Sequence, residues 1–476
     1  MEKTTVVAIT LVIYKLVLIG IGFWASGRNK DEKDFFLGGR GLGPVVAAIS
    51  YSSSASSAWT LLGMSGAAYV LGVSVLWIAA GSITGMFIAW FWIGQRLMET
   101  TRENDQLTFT DFLANSTTGG WRKSIVLLAS FIIIFCFTFY VAAQFQGAGN
   151  TFASSFGFSM NNSIMLGALI IMVYTLLGGF WAVSVTDTVQ GLLMGVTALL
   201  LPLVALSEVG GVDGFLKGLR AVSSPEQLSW SAGNVGLMAV GVVVGSLSIG
   251  FGTYGQPHLM VRFMALRDAK ALRQARLITI AWYLVVFGGM CFLGLVGHVL
   301  HPAVENPETI FFVLTDSLFT PVIGAILLAA VLSAIMSTAD SQLLVAASSI
   351  AHDLGLGHGS AGRNLLISRL TIAGLVVFAV VVAIYLPEKI FSRVLFAWVA
   401  LGAAFGPTLF MRLANVPLKP AGVWLSILMG FSLSVVFYLL PNAPGDILER
   451  LVPFCVALAI LFFFRGPRTA GLQQPA

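Results

Sequence analysis

Charged side chains are scarce in this sequence of 476 residues, where Asp, Glu, Lys and Arg together make up only 10%. Soluble domains carry about 25% charged residues. Hydrophobic residues make up 57% of the chain, and the mean hydropathy is +0.91. Since a soluble protein of this composition could not cover its surface with polar groups, we expect an integral membrane protein.

Cysteine and histidine are also rare. The three cysteines, Cys136, Cys291 and Cys455, lie in apolar stretches without CxxC spacing, which excludes a disulfide framework and a cysteine metal site. The five histidines do not cluster, and neither an HExxH nor a GxSxG motif is present. We therefore predict that the protein is not an enzyme, and we expect no nucleic-acid partner.

Apolar blocks of about 20 residues, the length that crosses a bilayer core, fill the sequence. No polar linker divides them, so we predict a single transmembrane domain over residues 1–476. The pattern predicts about 13 spans, at 5–26, 42–70, 75–98, 124–153, 162–178, 185–208, 234–256, 274–299, 320–352, 364–386, 389–413, 420–440 and 448–465.

The distribution of Lys and Arg predicts the orientation of these spans. If the N-terminus lies outside, 19 of these residues fall in cytoplasmic connections and six in outer ones. This excess follows the positive-inside rule, and it places the C-terminus inside. Arg262 is counted here in a cytoplasmic connection. Lys15 remains inside the first span, where the alternatives are a functional charge and a side chain that snorkels to the interface.

Two spans contain sequences that disfavour a continuous helix. Residues 50–57 (SYSSSASS) place six serines in the second span, and 245–257 (GSLSIGFGTYGQP) place four glycines and a proline in the seventh. Broken helices expose main-chain groups for ions and solutes at mid-membrane. The alternative is that these small residues only allow close helix packing.

The two broken spans are five spans apart, which an inverted repeat of five plus five helices predicts. We therefore assign a first repeat to 42–208 and a second to 234–413. The segment 5–26 is then an extra N-terminal helix, and 420–465 supplies two extra C-terminal helices.

The ninth span carries a stripe of oxygen-bearing side chains. Ala334, Ser337, Thr338 and Ser341 share one face of a helix, because residues three and four apart are neighbours. Na⁺ is a hard cation that prefers oxygen ligands. Carbonyls freed over residues 53–56 are predicted to complete the coordination.

Two acids lie within apolar spans. Asp340 lies deep in the apolar ninth span, and such acids are functional by default. Asp187 has a structural alternative, because Ser184 and Asp187 resemble a capping box at the start of the sixth span. If both acids line one cavity, they could hold a second cation or a proton.

Several segments resemble the sodium:solute symporter family, and within it the bacterial sodium/proline symporters. Similarity extends over nearly the whole chain. The segments that carry it are 34–40 (DFFLGGR), 174–184 (YTLLGGFWAVS), 186–190 (TDTVQ), 255–258 (GQPH), 262–265 (RFMA), 336–338 (MST) and 402–407 (GAAFGP).

The resemblance implies an all-α membrane protein with a LeuT-like core of two inverted five-helix repeats, and alternating access driven by Na⁺. It also implies two cation sites. The main sodium site would be formed by the carbonyls of Ser53, Ser56 and Ala334 and the hydroxyls of Ser337 and Thr338. A second cation site would be formed by Asp187, Ser337, Asp340 and Ser341.

The predicted solute pocket differs from that of the proline symporters. They carry an aspartate where this chain has Ala55, and a Trp and a Tyr where it has Ile249 and Thr253. No arginine lies at either predicted break. We therefore expect a zwitterion or neutral polar solute other than proline, near Ser57, Trp59, Tyr140, Gln144, Phe251 and Thr253.

The predicted function is Na⁺-coupled import of a small organic solute, an amino acid or a related zwitterion, across a bacterial inner membrane. One alternative is a proton-coupled symporter of a small carboxylate, with H⁺ carried by Asp187 and Asp340. Another is a transporter-like nutrient receptor in signalling. The expected partners are the solute and the lipid bilayer, and the expected state is a monomer or a weak oligomer.

Overall fold

The computed structural model describes residues 3–26, 37–177, 180–350, 361–441 and 443–466, and all regular elements in these residues are helices. Ten helical segments there are long and apolar enough to cross a membrane. This confirms the predicted all-α class. Residues 34–36 and 178–179 of the family-like segments and the end of the predicted ninth span lie outside the described residues.

The helices follow one another with short connections. They are α1 (Lys3–Ser26), α2 (Pro44–Ala55), α3 (Ser65–Leu71), α4 (Leu76–Ile88), α5 (Gly94–Glu103), α6 (Phe109–Leu113), α7 (Gly119–Phe156), α8 (Met160–Leu177), α9 (Phe180–Glu208), α10 (Gly211–Val222), α11 (Gly236–Leu247), α12 (Pro257–Ala265), α13 (Ala269–Leu300), α14 (Ile310–Leu318), α15 (Pro321–Ser348), α16 (Ala361–Tyr385), α17 (Ile390–Leu413), α18 (Pro420–Tyr438), α19 (Ile447–Arg450) and α20 (Val452–Phe463).

Several of the predicted spans are not single long α-helices. The second is divided between α2 and a π-helical turn, Trp59–Met64, that continues into α3. The seventh passes from α11 into a 3-10 helix, and the thirteenth, α20, has only 12 residues. The fifth matches α8, a continuous helix of 18 residues.

The chain reverses direction after α3. Gly72 adopts φ +62°, a conformation that favours glycine, and Val73 N–H donates to the carbonyl of Gln227 at 2.9 Å. At one end of this α3–α5 segment, Tyr69 bonds the carbonyl of His301, while Arg102 at the other end contacts the carbonyl of Leu266. The apolar stretch Trp59–Glu103 is therefore the second half of the broken span followed, after a turn, by one further crossing.

Helix α15 occupies the centre of the bundle, with 83% of its most apolar stretch buried, whereas the corresponding value for α1 is 17%. It packs against α1, α2, α7 and α9. The described part of α15 therefore lies between the first broken span and the peripheral helix α1.

The second predicted break is also present. After α11 the chain forms a tight 3-10 helix, Ser248–Gly255, and then an extended residue, Gln256, before Pro257 starts α12. Glycine is required at this point because a Cβ on Gly255 would lie 1.9 Å from the carbonyl oxygen of Leu401 in α17. Both predicted breaks are thus confirmed, while the repeat boundaries stay a prediction.

Candidate functional site

Helix α2 ends inside the protein. Ser56 leaves the helical conformation at φ −103° and ψ 41°. Beyond it, the N–H of Ala58 donates to Gln144 Oε1 at 3.0 Å, and the N–H of Trp59 donates to Ser57 Oγ at 3.1 Å. These N–H groups bond side chains rather than helix carbonyls, so the polar groups around the break depend on neighbouring elements.

Helix α15 supplies partners for the carbonyls at this break. Ser337 Oγ donates to the Ser53 carbonyl at 3.2 Å, and Thr338 Oγ1 donates to the Ser54 carbonyl at 2.8 Å. Ser54 Oγ in turn donates to the Ser337 carbonyl at 3.2 Å. These residues are fully buried. The oxygens that the sequence predicts as sodium ligands therefore meet across one interface between α2 and α15.

The donor set fits a Na⁺ ion in its chemistry, because it consists of main-chain carbonyl and hydroxyl oxygens. Ser337 Oγ also lies 3.3 Å from the carbonyl of Ala334, which completes a cluster of Ser53, Ala334, Ser337 and Thr338. Ser56 is less closely tied to it, and its own hydroxyl is buried without a hydrogen-bond partner among the described residues.

Ser54 lay within the predicted carbonyl range 53–56 but was not among the named sodium ligands, and its carbonyl is the one that Thr338 contacts. The only signal for it was its membership of the serine run, which does not say which carbonyl faces α15.

A second polar cluster surrounds Asp187 on α9. Its Oδ2 accepts from Ser50 at 2.8 Å, from Ser54 at 3.1 Å and from Arg262 at 3.1 Å. The side chains of Asp187 and Arg262 are 0% and 1% exposed, so they form a buried ion pair.

The capping interpretation of Asp187 is wrong. Helix α9 already begins at Phe180, and Ser184 Oγ bonds the carbonyl of Phe180 within the same helix. Asp187 is therefore in the second turn or beyond, and its carboxylate faces α2 and α12.

The assignment of Arg262 to a cytoplasmic connection is also wrong. Helix α12 carries it into the core, where its guanidinium contacts Ser50, Ser54, Ser341 and Asp187. The expectation that no arginine lies near the breaks fails for the same reason. A sequence signal existed, since Arg262 is the single arginine in an otherwise mostly apolar helix.

The residues predicted for the second cation site are brought together only in part. Asp187 and Ser341 both bond Arg262, so the guanidinium lies between them. Asp340 accepts from the hydroxyl of Thr175 on α8 instead. Its Oδ2 has no hydrogen-bond partner among the described residues.

A small cavity of about 20 Å³ lies beside the two breaks. Of the predicted solute-binding residues, it is lined by Trp59, Tyr140 and Thr253. None of its lining residues carries a charge. The others are Ala55, Ser82, Met86, Ile249, Tyr283, Phe287, Val394, Leu395 and Trp398.

The remaining predicted solute residues do not line this cavity. Ser57 and Gln144 instead accept hydrogen bonds from main-chain N–H groups at the break, and Tyr140 Oη donates to Ser57 Oγ at 3.4 Å. Phe251 stacks on Phe454 of α20, with ring centroids 4.6 Å apart, and its role in solute binding stays a prediction. Successive residues on a 3-10 helix are rotated by about 120°. A side-chain direction predicted without this rotation is therefore misplaced.

Several lining residues were missed by the sequence reasoning. Tyr283 and Phe287 come from one turn of α13, where their rings stack at 4.9 Å. Trp398 comes from α17 and donates to the carbonyl of Ile249 at 3.1 Å. Their i, i+4 spacing is ordinary for packed helices, so no local pattern distinguishes them from core residues.

One side of the cavity is closed by Trp59, which stacks on Phe391 at 5.6 Å. Next to this pair, the Glu308 carboxylate accepts the N–H groups of Ile390 at 3.1 Å and Phe391 at 2.9 Å, at the start of α17. Burial raises the pKa of Glu308 above its ordinary value, and the two N–H groups oppose that shift.

Comparisons with known proteins identify the family and the fold. The model of the Sodium:solute symporter family matches residues 35–430. The osmoregulated proline transporter OpuE of Bacillus subtilis is 34% identical over 456 residues, covering 94% of this chain and 92% of the relative. A sodium/proline symporter of Staphylococcus aureus is 33% identical, with the same coverage of both chains.

Solved structures show the same fold. A substrate-bound, outward-open Na⁺-coupled sialic acid symporter has a TM-score of 0.78 at 18% identity, covering 96% of this chain and 98% of that one. The nucleobase-cation symporter Mhp1 in a closed conformation has a TM-score of 0.57 at 14% identity, covering 91% and 95%. The chain therefore has the predicted LeuT-like fold of a multi-pass membrane protein.

Replacing Arg262 by methionine is expected to destabilise the protein by about 3–5 kcal/mol, because Asp187 would keep a buried charge without its cation. The thermal-unfolding midpoint of the purified protein in detergent measures this. The double variant R262M/D187N should recover part of the loss.

The matched control is Arg267→Met, since Arg267 pairs with Asp268 at an exposed position and such pairs contribute about 0–1 kcal/mol. Equal midpoints for R262M and R267M would show that the buried pair does not hold α9 and α12 together.

Proposed function

Because the chain belongs to the sodium:solute symporter family, we propose that it is a Na⁺-coupled symporter that imports a small organic solute, an amino acid or a related zwitterion. The observation that carries the proposal is the set of buried oxygens shared by α2 and α15. The membrane is the inner membrane of a bacterium, with the N-terminus outside and the C-terminus inside.

In this proposal the main Na⁺ ion binds between the broken helix and α15. Its ligands are the carbonyls of Ser53, Ser56 and Ala334 and the hydroxyls of Ser337 and Thr338. The hydroxyls of Ser337 and Thr338 now donate to carbonyls on α2. With Na⁺ bound, the Ser53 carbonyl and the lone pairs of the two hydroxyls would face the ion.

The solute site is the cavity lined by Trp59, Tyr140 and Thr253. An uncharged lining suits a solute whose own charges cancel, because a net charge would be left without a counter-ion in a low-dielectric site. A carboxylate could be received by main-chain N–H groups at the breaks, and aromatic rings can hold an ammonium group.

The two curated relatives are named for proline. The residues of this cavity fit the same class of solute but differ from those expected around proline itself. Ala55 and Ile249 line the cavity together with Thr253. The resemblance places larger or charged residues at these three positions in proline symporters. We therefore propose an amino acid or related zwitterion other than proline.

Na⁺ and solute are coupled through the break. The ion ties Ser53 and its neighbours to α15, and Ala55 and Trp59, on either side of the break, line the cavity. Because coupling is reciprocal, the solute should tighten Na⁺ binding by the same factor. One cation moving down 100 mV supplies about 2.3 kcal/mol, enough for roughly fiftyfold accumulation.

The sodium site is tested by the double variant S337A/T338A in proteoliposomes. Losing two ligands of a charged group, each worth about 1.5–3 kcal/mol, should raise the Na⁺ concentration for half-maximal uptake by at least roughly a hundredfold. Ser348→Ala is the control, since this serine lies on α15 and its hydroxyl bonds only the Val345 carbonyl. Unchanged Na⁺-driven uptake in S337A/T338A would refute the site.

The same assay separates the coupling ions when Na⁺ and pH gradients are imposed one at a time. Uptake that follows the pH gradient and ignores Na⁺ would replace the sodium proposal with proton coupling.

The solute class is tested by thermal-shift screening of amino acids, betaine-like zwitterions, simple carboxylates and sugars, each with and without Na⁺. A zwitterion should raise the unfolding midpoint in Na⁺, and Thr253→Val or Tyr140→Phe should reduce that rise. Tyr385→Phe is the control, because Tyr385 is exposed at the end of α16. Stabilisation by sugars or net anions alone would contradict the proposed class.

A further inference from the structure

The peripheral helix α1 carries polar side chains on the face that meets α15. Tyr14 Oη bonds Ser333 Oγ, and the Lys15 ammonium contacts the sulfur of Met336. Since α1 packs on both α9 and α15, these contacts attach it to the face of α15 that adjoins the sodium ligands. Lys15 is thus directed into the protein and does not snorkel to an interface.

Lys15 lies in an apolar groove of about 540 Å³ between α1, α7, α8 and α15. Every other residue that lines this groove is apolar. An ammonium group in such surroundings requires a counter-charge, because hydrocarbon offers neither water nor hydrogen-bond acceptors.

Asp340 is the acid that meets this requirement. It lies one helical turn after Met336, the residue that Lys15 contacts, and positions four apart share a helix face. Lys15 and Asp340 therefore lie on the same side of α15. Asp340 is fully buried, and one of its carboxylate oxygens has no hydrogen-bond partner among the described residues.

We propose that Lys15 is the built-in counter-cation of Asp340 and takes the place of a second coupling cation, so that one Na⁺ accompanies each solute. The inference rests on the proposed Na⁺-coupled function and adds its stoichiometry. Lys15 is a positioning residue in this scheme, since it acts on the coupling machinery through Asp340.

The charge balance around α15 supports this assignment. Arg262 already neutralises Asp187 at 3.1 Å, and it also bonds Ser341. With Lys15 opposite Asp340, both buried acids of the predicted second cation site have a fixed cation of their own. A second Na⁺ there would add a net charge to a low-dielectric site, whereas the main site keeps its neutral oxygens free for one ion.

Fixed cations also change the amount of charge that crosses the membrane in one transport cycle. Lys15 and Arg262 stay with the protein, so they neutralise the acids without crossing the membrane with the solute. The equilibrium accumulation of a net-neutral solute should therefore change about tenfold per 60 mV of membrane potential, which is the value for one charge. Two charges per solute would give a change of about a hundredfold.

The test measures the Na⁺ Hill coefficient and the dependence of accumulation on potential in proteoliposomes, for the wild type, K15M, K15R and K15M/D340N. The wild type and K15R should show a Hill coefficient near one and the single-charge dependence. In K15M, Asp340 loses its cation, so a second Na⁺ should be recruited and both values should rise towards two charges. D340N in the K15M background should restore single-charge behaviour. Thr10→Val is the control on α1, since its hydroxyl bonds only the Val6 carbonyl.

Two results would overturn the proposal. One is a wild type that already moves two charges per solute, a measurement that does not depend on the folding of any variant. The other is a K15M protein that folds and keeps the single-charge values. Either result leaves the proposed function standing, whereas a wild type without Na⁺ stimulation would refute the proposed function itself.

Discussion

The contact between the unwound end of α2 and helix α15 is the constraint on which the site depends. A helix that ends in the membrane interior leaves main-chain groups that water cannot reach, and each must find a partner within the protein. Here Ser337 and Thr338 bond the carbonyls of Ser53 and Ser54, while Gln144 bonds an N–H beyond the break. Burying carbonyl oxygens that have no partner within their own helix costs free energy. The same oxygens make the break suitable for a small cation.

Charge is distributed in this fold so that solute and ion meet uncharged groups. The cavity beside Trp59 has no charged lining residue, and the proposed sodium ligands are carbonyls and hydroxyls. The buried acids Asp187 and Asp340 lie close to these ligands along α9 and α15. Asp187 pairs with Arg262, and Lys15 is the proposed counter-cation of Asp340. Such pairing keeps the acids from attracting further ions and leaves the driving ion as the mobile charge.

Local chemistry allowed much of this to be predicted. The serine run at 50–57 and the glycine-rich segment before Pro257 disfavour a helix by themselves, so both breaks were predictable, and helical spacing put Ser337 and Thr338 on one face. The single arginine in an apolar segment was a signal for Arg262, but it did not decide the direction of the side chain, because an arginine near the end of an apolar block can face the cytoplasm or turn inward with its helix. Only the packing of α12 against α2 and α9 decides between these two directions. The direction of the Phe251 side chain likewise depends on packing that the sequence does not show.

The most direct test of the shared oxygen site is equilibrium binding of radioactive sodium to the purified protein in detergent, without any gradient. Saturable binding of one ion per chain, displaced by unlabelled Na⁺ but not by K⁺ and tightened by a transported solute, is the predicted result. Absence of saturable binding, or binding that solute does not affect, would contradict the claim that the break between α2 and α15 couples the ion to the solute.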